Sequence, residues 1–532
     1  LAPTARESMY IQRFYLYLNL TKPSRCLYLS YAQSNAQGQA QSPAYLIAMI
    51  LRMYPKLEIQ DNPKDEISQM QMAQQATEIL LAGLRKDGEQ QQNNGWRELF
   101  SWYLRSKEWR EQCLRWIRAA YEGAPESSIG KAAAVALYGK ELENSATELE
   151  RFAACAFAHF LQYGLKIEER QEYEFRQADL GNVIHQALEQ FSRNLKKNRL
   201  TWRSLTDQER DQLIDTSVEE TIHDYGNTIL ESSARNQYMI LRVKRILRRT
   251  VWALQQQLKA GKYEPSRFEI SFSMEEDLKA SNFQLSEDER LRLRGRIDRV
   301  DRYEEDDTIY VKVIDYKSGN TALDLTSVYH GLQLQLIVYL NAALELEEKN
   351  HPGKHAEPAG MFYYHVKNPL VDGKPGDEEE EIERKLLEKL KVDGLVRAEE
   401  KILKDLDREL EVGKKSLVIP AAYNKNGSLS SRSKTASKEQ FEELRAYVND
   451  KICENGTRIL GGEMEKNPYK LKQRTACDYC SFKEICGFDE KQEGNSFRRL
   501  PAFSDEELWK KMREKGEKED GNEVDTGTAE GH

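Results

Sequence analysis

Two segments near the middle of the chain end in acidic residues whose type and spacing suit metal-assisted chemistry. The segment "GRIDRVD" contains Asp298 and Asp301 close together, and "VIDYKSG" contains Asp315 two residues before Lys317. Side chains alternate along a strand, so Asp315 and Lys317 share one face of it. A carboxylate at the end of a buried strand costs free energy unless a cation or a reaction uses it.

The chemistry that fits these residues is metal-assisted hydrolysis of a phosphodiester. Carboxylates bind Mg²⁺, which keeps water and a substrate phosphate in its remaining positions. The metal lowers the pKa of a bound water, and a lysine orients that water or stabilises developing charge. The alternative is an Asp–Lys pair on the surface, since D-x-K alone is a weak signal. The "GRID" upstream strengthens the catalytic interpretation.

Two helical segments carry polar residues that fit the same chemistry. In "LGNVIHQALEQF", His185 follows Gly181 by one helical turn, and in "HGLQLQLIVYL", Gln335 and Tyr339 lie at i and i+4 on one face. A lone helical histidine is usually a core or surface residue, but the companion motifs make His185 a candidate metal ligand. Gln335 and Tyr339 either contact phosphate or DNA, or pack and hydrogen-bond.

The motifs G-x3-H, G-R-I-D, I-D-Y-K-S-G and Q-h-x-x-Y, in this order, resemble the RecB-family nuclease domain of the PD-(D/E)xK fold. The resemblance implies a catalytic set made of His185, Asp298, Asp315, Lys317, Gln335 and Tyr339. Within that set, His185, Asp298 and Asp315 would bind Mg²⁺ or Mn²⁺, together with the backbone carbonyl of Tyr316. Lys317 would be the catalytic lysine.

A second group of candidate ligands is the trio Cys477, Cys480 and Cys486, spaced C-x2-C-x5-C. A metal cluster usually takes four protein ligands, and the partners available are Cys26, Cys113, Cys155 and Cys453. Cys155 stands out because "RFAACAFAHFLQYGL" begins the nuclease segment. Four thiolates suit either a [4Fe–4S] cluster or structural zinc.

One remote cysteine combined with this trio resembles the iron–sulfur staple of RecB-family nucleases. That likeness implies a structural [4Fe–4S] cluster held by Cys155, Cys477, Cys480 and Cys486. The segments "ELENSATELERFAACAFAHFLQYGLK" and "RTACDYCSFKEICGFD" are together similar to the AddB subunit of AddAB-type helicase–nucleases. Ala156 departs from that pattern, since the family commonly has proline after the first cysteine.

The elements that must position these residues follow an α/β pattern. Helical periodicity covers 177–261 and 326–347, and strand patterns cover "RFEISFSM", "LRLRGRIDRVDRYE", "TIYVKVIDYKSG" and "AGMFYYHVKN". We predict an α/β fold with a PD-(D/E)xK nuclease core and helical surroundings at 131–500. Residues 372–412 are expected to be a charged, solvated helical insertion, and 501–532 an acidic, disordered tail.

Residues 1–130 are predicted to be the end of a helicase-like region, with helices and a strand at "CLYLSY". The chain contains no G-x4-G-K-[ST] phosphate loop. The segment "YLNLTKPSRCLYLSY" resembles a late helicase arginine motif, but Lys22 and Pro23 replace its Arg-Ala, so we expect no competent ATPase site. The chain begins with Leu1, and the resemblance implies that a full-length subunit continues upstream.

Length and composition narrow the class of protein. The 532 residues suggest about two to four domains, and the net charge of −9 argues against a simple basic nucleic-acid coat without excluding a nuclease. No run of about 18 apolar residues and no signal peptide are present, and seven scattered cysteines do not suggest a disulfide scaffold. We expect a cytoplasmic, reduced protein.

One helical segment, "ARNQYMILRVKRILRRTVWAL", is strongly basic. Such a helix can follow the phosphate backbone of DNA, or it can form salt bridges with the abundant acids. The candidate DNA contacts on it are Arg242, Lys244, Arg245, Arg248 and Arg249.

The sequence therefore favours a Mg²⁺-dependent exonuclease domain acting on single-stranded DNA. By resemblance, it would belong to an AddB-like subunit that pairs with an AddA-like helicase–nuclease subunit in double-strand break repair by homologous recombination, and would cut the 5′-ended strand. Two alternatives stay open. One is a stand-alone iron–sulfur nuclease like those of CRISPR adaptation, and the other is a DNA-binding scaffold whose nuclease site is inactive.

Overall fold

The protein, seen here in a computed structural model, divides into two compact units, Leu1–Gly123 and Ala124–His532. The structure describes residues 4–34, 40–60, 72–85, 94–121, 127–168, 177–224, 233–272, 278–373, 378–491 and 494–524. Residues 225–232 of the predicted helical stretch and 525–532 of the predicted tail lie outside these ranges. No helix within them combines the length and apolar character that crossing a bilayer requires.

Within its described residues, the first unit contains five helices and no strand. Its helices are α1 (Ala5–Thr21), α2 (Tyr45–Met53), α3 (Ala73–Arg85), α4 (Asn94–Arg105) and α5 (Arg110–Tyr121). Leu80, Tyr103 and Cys113 form the buried centre of α3–α5. The strand predicted at "CLYLSY" is wrong: residues 26–31 have no regular secondary structure, are mostly exposed, and pair with no strand of the described chain. Apolar alternation does not make a strand without a partner for its backbone groups.

The second unit is built on an eight-stranded mixed sheet. Its strands are β1 (Glu141–Ser145), β2 (Glu264–Phe272), β3 (Asn282–Gln284), β4 (Arg290–Glu305), β5 (Thr308–Lys317), β6 (His355–His365), β7 (Asp393–Arg397) and β8 (Thr435–Ala436). They run in the order β1-β4-β5-β6-β7-β8, with β2 and β3 also paired to β4. Strands β4 and β5 are antiparallel, whereas β5 and β6 are parallel.

Helices cover both faces of this sheet. They are α6 (Lys131–Tyr138), α7 (Ala146–Ala154), α8 (Ala156–His159), α9 (Gln177–Lys197), α10 (Asp207–Asp224), α11 (Ala234–Ala260), α12 (Leu325–Tyr329), α13 (Gln335–Asn350), α14 (Glu379–Lys389), α15 (Glu400–Leu406), α16 (Lys438–Leu460), α17 (Lys483–Cys486) and α18 (Asp505–Val524). The helix predicted at 326–347 is divided into α12 and α13 at Gly331, whose φ is +76°.

The two faces of β5 belong to two different hydrophobic cores. Val311 and Val313 pack with α7, α13, α16 and α18, while Ile314 and Tyr316 pack with α9, α10 and α11. This is the side-chain alternation expected of a central strand in an α/β sandwich. The predicted α/β fold is therefore confirmed, and the alternation places Asp315 and Lys317 on the α13 side.

Two predicted charged segments contain buried structure. Within 372–412, β7 pairs antiparallel with β6, because Gly394 lets the two backbones approach: a Cβ there would lie 2.1 Å from the Met361 carbonyl oxygen. The expected disordered tail is wrong for α18, where Leu508, Trp509 and Met512 are buried in the core. Both segments have a charged average composition, and a few apolar residues at the right spacing decide their burial.

A small sheet follows α16 and lies beside the predicted cysteine trio. Its strands are β9 (Tyr469–Leu471), β10 (Arg474–Thr475) and β11 (Arg498–Arg499), in the order β10-β9-β11. These short strands bracket the segment that contains α17.

Candidate active site

The candidate active site is built on the neighbouring strands β4 and β5. Their register pairs Arg299 with Ile314, which brings Asp298 next to Asp315 at the end of the ladder. Both aspartates are buried, with exposed fractions of 6% and 2%. The backbone N–H of Tyr316 donates to Asp298 Oδ2 over 2.7 Å, so the orientation of this carboxylate is fixed by the next strand.

Helix α9 brings His185 to the same place. Its Nδ1 lies 3.3 Å from Asp298 Oδ2 and 3.8 Å from Glu269 Oε1. The helix is held by the core residues Ile184 and Leu188 on either side of the histidine. His185, Glu269 and Asp298 each offer a ligand atom, and these atoms all lie within 4.8 Å of one another. One imidazole and two carboxylates form a suitable donor set for a divalent metal.

Glu269 is a site residue that the sequence analysis missed. It lies in β2 opposite Asp298, has a φ of +48°, and its Oε2 forms an ion pair with Arg296 Nε over 2.7 Å. A positive φ at a non-glycine residue is strained, and such strain is concentrated at functional sites. The signal available in the sequence was an acid inside the apolar alternation of "RFEISF".

Asp315 lies outside this group of three because its carboxylate turns to Lys317, whose Nζ is 2.6 Å from Asp315 Oδ2. Burial, and then the charge of Asp298, raises the pKa of Asp315 to about 7. Burial opposes the charging of His185, but hydrogen bonds to Asp298 and Glu269 outweigh it and raise the pKa of His185 to about 10. The site therefore has a strong preference for positive charge between its carboxylates.

Helix α13 supplies the two remaining members of the predicted set. Gln335 Oε1 accepts a hydrogen bond from Lys317 Nζ over 2.9 Å, and Gln335 Nε2 donates to the Tyr339 hydroxyl over 2.7 Å. The i, i+4 spacing lets Gln335 hydrogen-bond to Tyr339 while it also hydrogen-bonds to Lys317, so the three side chains form a continuous hydrogen-bond network. Burial raises the pKa of Tyr339, so its hydroxyl stays protonated.

Glu150 of α7 is a second residue that the sequence analysis missed. Its Oε1 accepts from the backbone N–H groups of Leu334 and Gln335, over 2.6 and 3.0 Å. Burial raises the pKa of Glu150 to about 7, against the effect of these two hydrogen bonds. The sequence separation between α7 and α13 is large, and the sequence holds no local signal for this contact.

Asp301 has a different environment from Asp298, although both come from "GRIDRVD". Its two carboxylate oxygens accept from Arg299 Nε and Nη2 over 2.6 and 2.8 Å, and Lys312 Nζ lies 3.2 Å away. All three charged side chains are buried. Asp301 therefore belongs to a buried ion network and not to the group formed by His185, Glu269 and Asp298.

The four predicted cluster cysteines surround one cavity of about 260 Å³. Cys155 follows the last residue of α7, and Cys477, Cys480 and Cys486 come from the segment between β10 and the end of α17. Burial, followed by the neighbouring cysteines, raises the pKa of Cys477 to about 11. Arg151 Nη2 lies 3.6 Å from Cys480 Sγ, so one of these cysteines has a cationic neighbour. The remaining cysteines, Cys26, Cys113 and Cys453, do not line it.

The size of the cavity bears on which kind of metal site it can hold. Among the described residues, no three of these Sγ atoms lie within 4.8 Å of one another. In tetrahedral zinc, bonds of about 2.3 Å place the sulfur atoms roughly 3.8 Å apart. The cavity, lined by Phe157, Phe482, Phe488 and Phe497, therefore suits a group larger than one ion.

Two of the basic residues predicted to contact DNA, both on α11, form ion pairs with acids of α10. Lys244 Nζ lies 2.6 Å from Glu219, and Arg248 Nη2 lies 2.6 Å from Asp215. The guanidinium of Arg249 lies over the ring of Trp252 at 5.0 Å. The side chains of Arg242 and Arg245 are exposed. A DNA-binding role for these five residues stays a prediction.

A family profile and three curated relatives show which proteins this chain is similar to. Residues 143–487 match the profile of the "PD-(D/E)XK nuclease superfamily". Three relatives, each named as the B subunit of an ATP-dependent helicase/deoxyribonuclease, come from Lachnoclostridium phytofermentans (41% identical), Clostridium kluyveri (34%) and Thermoanaerobacter sp. (32%). The matches cover 100%, 97% and 98% of this chain, and 46%, 45% and 45% of the relatives.

The chain thus spans about half the length of the curated relatives it matches. The matched profile begins within β1 and ends just after Cys486, so it contains α7, the strands β4 and β5, and the cysteine segment. The match covers well over half of the chain. This chain belongs to the PD-(D/E)XK nuclease superfamily.

Proposed function

We propose that this chain is the nuclease part of a helicase–nuclease subunit, and that it hydrolyses phosphodiester bonds of single-stranded DNA with the help of Mg²⁺ or Mn²⁺. The observation that carries the proposal is the arrangement of the buried Asp298 and Asp315 and the half-buried Lys317 on two paired strands, with His185 beside Asp298. The word "deoxyribonuclease" in the names of the relatives supports the substrate class.

The metal would be held by His185, Asp298 and Asp315, with the carbonyl of Tyr316 and with Glu269 as an additional carboxylate. A bound divalent metal supplies Lewis-acid activation of water and neutralises charge on the phosphate. The protein itself contributes by holding the ligand side chains in place. The Tyr316 N–H fixes the Asp298 carboxylate, 2.7 Å away.

Lys317 would stabilise charge that develops on the phosphate, or orient the attacking water. Its ammonium is held from two sides, by Asp315 Oδ2 at 2.6 Å and by Gln335 Oε1 at 2.9 Å. An ammonium fixed in advance does not have to reorganise when the reaction proceeds, and this is the main advantage of an electrostatic site over water.

The four cysteines would hold a [4Fe–4S] cluster with a structural role. Their number and the volume of their shared cavity, about 260 Å³, support a cluster over a single zinc ion. Through Cys155, such a cluster would join the end of α7 to the segment that follows β10. Visible absorbance from thiolate-to-iron charge transfer supports this assignment, and a colourless anaerobic preparation that contains zinc overturns it.

The finer points of the function rest on the resemblance to AddAB-type enzymes and on the relatives' names. Those names describe one subunit of a larger enzyme and so imply a partner, for which we propose an AddA-like helicase–nuclease. We further propose that the 5′-ended strand is cut in the cytoplasm, during double-strand break repair by homologous recombination. Strands labelled at the 5′ or 3′ end and unwound by the assembled complex distinguish the two polarities.

The active-site assignment is tested with Asp315→Ala in the full chain, with end-labelled single-stranded DNA and Mg²⁺. Cleavage should fall by at least about 100-fold while DNA binding is retained, since the residue contributes only to the reaction. Asp288→Ala is a matched control, because Asp288 is an exposed acid whose contact is Lys140 at 3.5 Å. Cleavage by Asp315→Ala at the rate of the control would refute the assignment.

A further inference from the structure

Helix α7 lies between the cysteine cavity and the active site. It begins after Ser145, whose side chain accepts from the Glu148 N–H, and it ends at Ala154, directly before Cys155. Near its centre, Glu150 points away from the cavity and towards the start of α13. One short helix therefore contacts both of the chain's candidate metal-binding regions.

Glu150 satisfies backbone donors that α13 cannot satisfy itself. The N-cap residue of α13, Leu334, has no polar side chain and makes no capping hydrogen bond. Instead, Glu150 Oε1 accepts from both Leu334 N and Gln335 N. The first N–H groups of a helix have no partner within the helix, and a carboxylate there is favoured by hydrogen bonding and by the helix dipole.

The first residue of α13 is also the residue that holds the lysine. Gln335 donates its backbone N–H to Glu150, while its side chain accepts from Lys317 Nζ and donates to the Tyr339 hydroxyl. The position of this one residue is therefore coupled to Lys317, and Lys317 contacts Asp315. A shift of the first turn of α13 would displace the ammonium from the reacting group.

Helix α7, which carries Glu150, also packs against the turn before α13 and is anchored just beyond its C-terminal end. Gly331, in the turn before α13, has a φ of +76°, and a Cβ there would lie 3.3 Å from Ala153 Cβ of α7. Beyond the end of α7, the Ala156 N–H donates to Asn467 Oδ1 over 3.2 Å, and Phe157 N to the Glu465 carbonyl over 3.1 Å. Helix α7 is thus anchored at one end while its centre holds α13.

We propose that Glu150 is a positioning residue for the nuclease reaction: it fixes the first turn of α13 so that Gln335 holds Lys317 in its working place. The role of Lys317 in this statement rests on the proposed nuclease function. The capping contact does not, so the two are tested by separate measurements.

The test compares three substitutions of Glu150 in the full chain. Glu150→Ala removes the acceptor. Glu150→Asp keeps the charge but shortens the side chain by one methylene, and it serves if the alanine variant does not fold. Glu150→Gln keeps the reach and one acceptor oxygen. The matched control is Glu148→Ala, because Glu148 is a buried acid of the same helix that contacts Arg294 at 2.7 Å.

The first measurement is hydrogen exchange at residues 334–339 without added divalent metal. In Glu150→Ala and Glu150→Asp, exchange at 334 and 335 should rise about 10- to 150-fold, the equivalent of one lost hydrogen bond to a charged group. Glu150→Gln should stay close to the wild type, and so should Glu148→Ala. Unchanged exchange in the alanine and aspartate variants overturns the proposal. An equal rise in Glu148→Ala also overturns it, because it would show general loosening of α7.

The second measurement is single-stranded DNA cleavage with Mg²⁺. The value of kcat should fall in Glu150→Ala and Glu150→Asp by a factor similar to the rise in exchange, with KM within about threefold, and Glu150→Gln should restore it. Faster exchange with unchanged kcat overturns the positioning role. If the wild type does not cleave DNA and Asp315→Ala changes nothing, the proposed function has failed, and the exchange data still decide whether Glu150 holds α13.

Discussion

Replacing Asp301 by Asn should destabilise the centre of the sheet without removing the metal site. Asp301 is fully buried and is the acid between two buried cations, bidentate to Arg299 and 3.2 Å from Lys312 Nζ. Arg299 also lies against the rings of Trp202 and Phe268, at 5.1 and 5.9 Å. Asparagine keeps the shape of the side chain and one acceptor oxygen, but it removes the negative charge.

The magnitude follows from the burial of the partners. Arg299 and Lys312 have exposed fractions of only 1% and 8%, so water cannot replace the lost charge without opening the sheet. Removing one member of a buried ion pair costs about 3–5 kcal/mol. If β4 and β5 open together, their amides should exchange about 150- to 5,000-fold faster. Metal affinity should change little, because Asp298 is held by Tyr316.

The assay combines hydrogen exchange of β4 and β5 with calorimetric titration of Mn²⁺ into the full chain. Asp298→Asn is the matched comparison: it should lose metal binding while exchange in the Asp301 region changes much less. Adding Lys312→Met to Asp301→Asn should recover part of the stability, since it removes one unpaired cation. Exchange within threefold of the wild type would refute the charge argument. Loss of metal binding by a folded Asp301→Asn protein would show that Asp301 is a ligand.

Three further substitutions test other regions. Burial, and then Arg151, lowers the pKa of His159 from 6.5 to about 3. Between pH 7 and pH 5 the unfolded chain therefore binds a proton at His159 that the folded chain does not bind, and the free energy of unfolding should fall by about 2 kcal/mol. Urea unfolding at the two pH values should find this loss in the wild type and not in His159→Phe. Cys155→Ser should lose most of its iron by metal analysis, whereas Cys453→Ser, outside the cavity, should keep it; full iron content in Cys155→Ser contradicts the cluster assignment. Trp509→Ala should lower unfolding stability by about 3–5 kcal/mol, and no change would mean that α18 does not pack on the core.

Two pairs within the candidate site could be predicted because local spacing relates their members, whereas His185 and Asp298 were joined to them by the resemblance to RecB-family nucleases. Strand alternation places Asp315 and Lys317 together, and helical spacing places Gln335 and Tyr339 together; the structure confirms both pairs as contacts through Lys317 and Gln335. Glu150 could not be found in this way, because its partners at the start of α13 lie 184 and 185 residues further along the chain. Its position depends on the packing of whole elements.

Errors about segments have a different origin. The segment 372–412 and the tail were judged by average charge, whereas burial is decided by a few residues: Gly394 permits close pairing of β7, and Leu508 and Trp509 form the inward face of α18. The apolar "CLYLSY" shows the converse, since residues 26–31 find no strand partner in the described chain. Average composition describes all residues of a segment, whereas burial depends on the few side chains that pack against the core.

Asp298 and Asp301 show how one residue type can serve two purposes on one strand. Asp301 is buried with its counter-ions, so its charge is compensated in the folded chain. Asp298 is buried with other acids, Glu269 and Asp315, and burial raises the pKa of both of these carboxyls. Even with His185, Lys317 and Arg296 beside them, the folded chain keeps three acids close together, and an added cation would relieve their mutual repulsion further. Strained or destabilising arrangements are concentrated at functional sites, and this physical reason, beyond any motif, favours Asp298 over Asp301 as the predicted metal ligand.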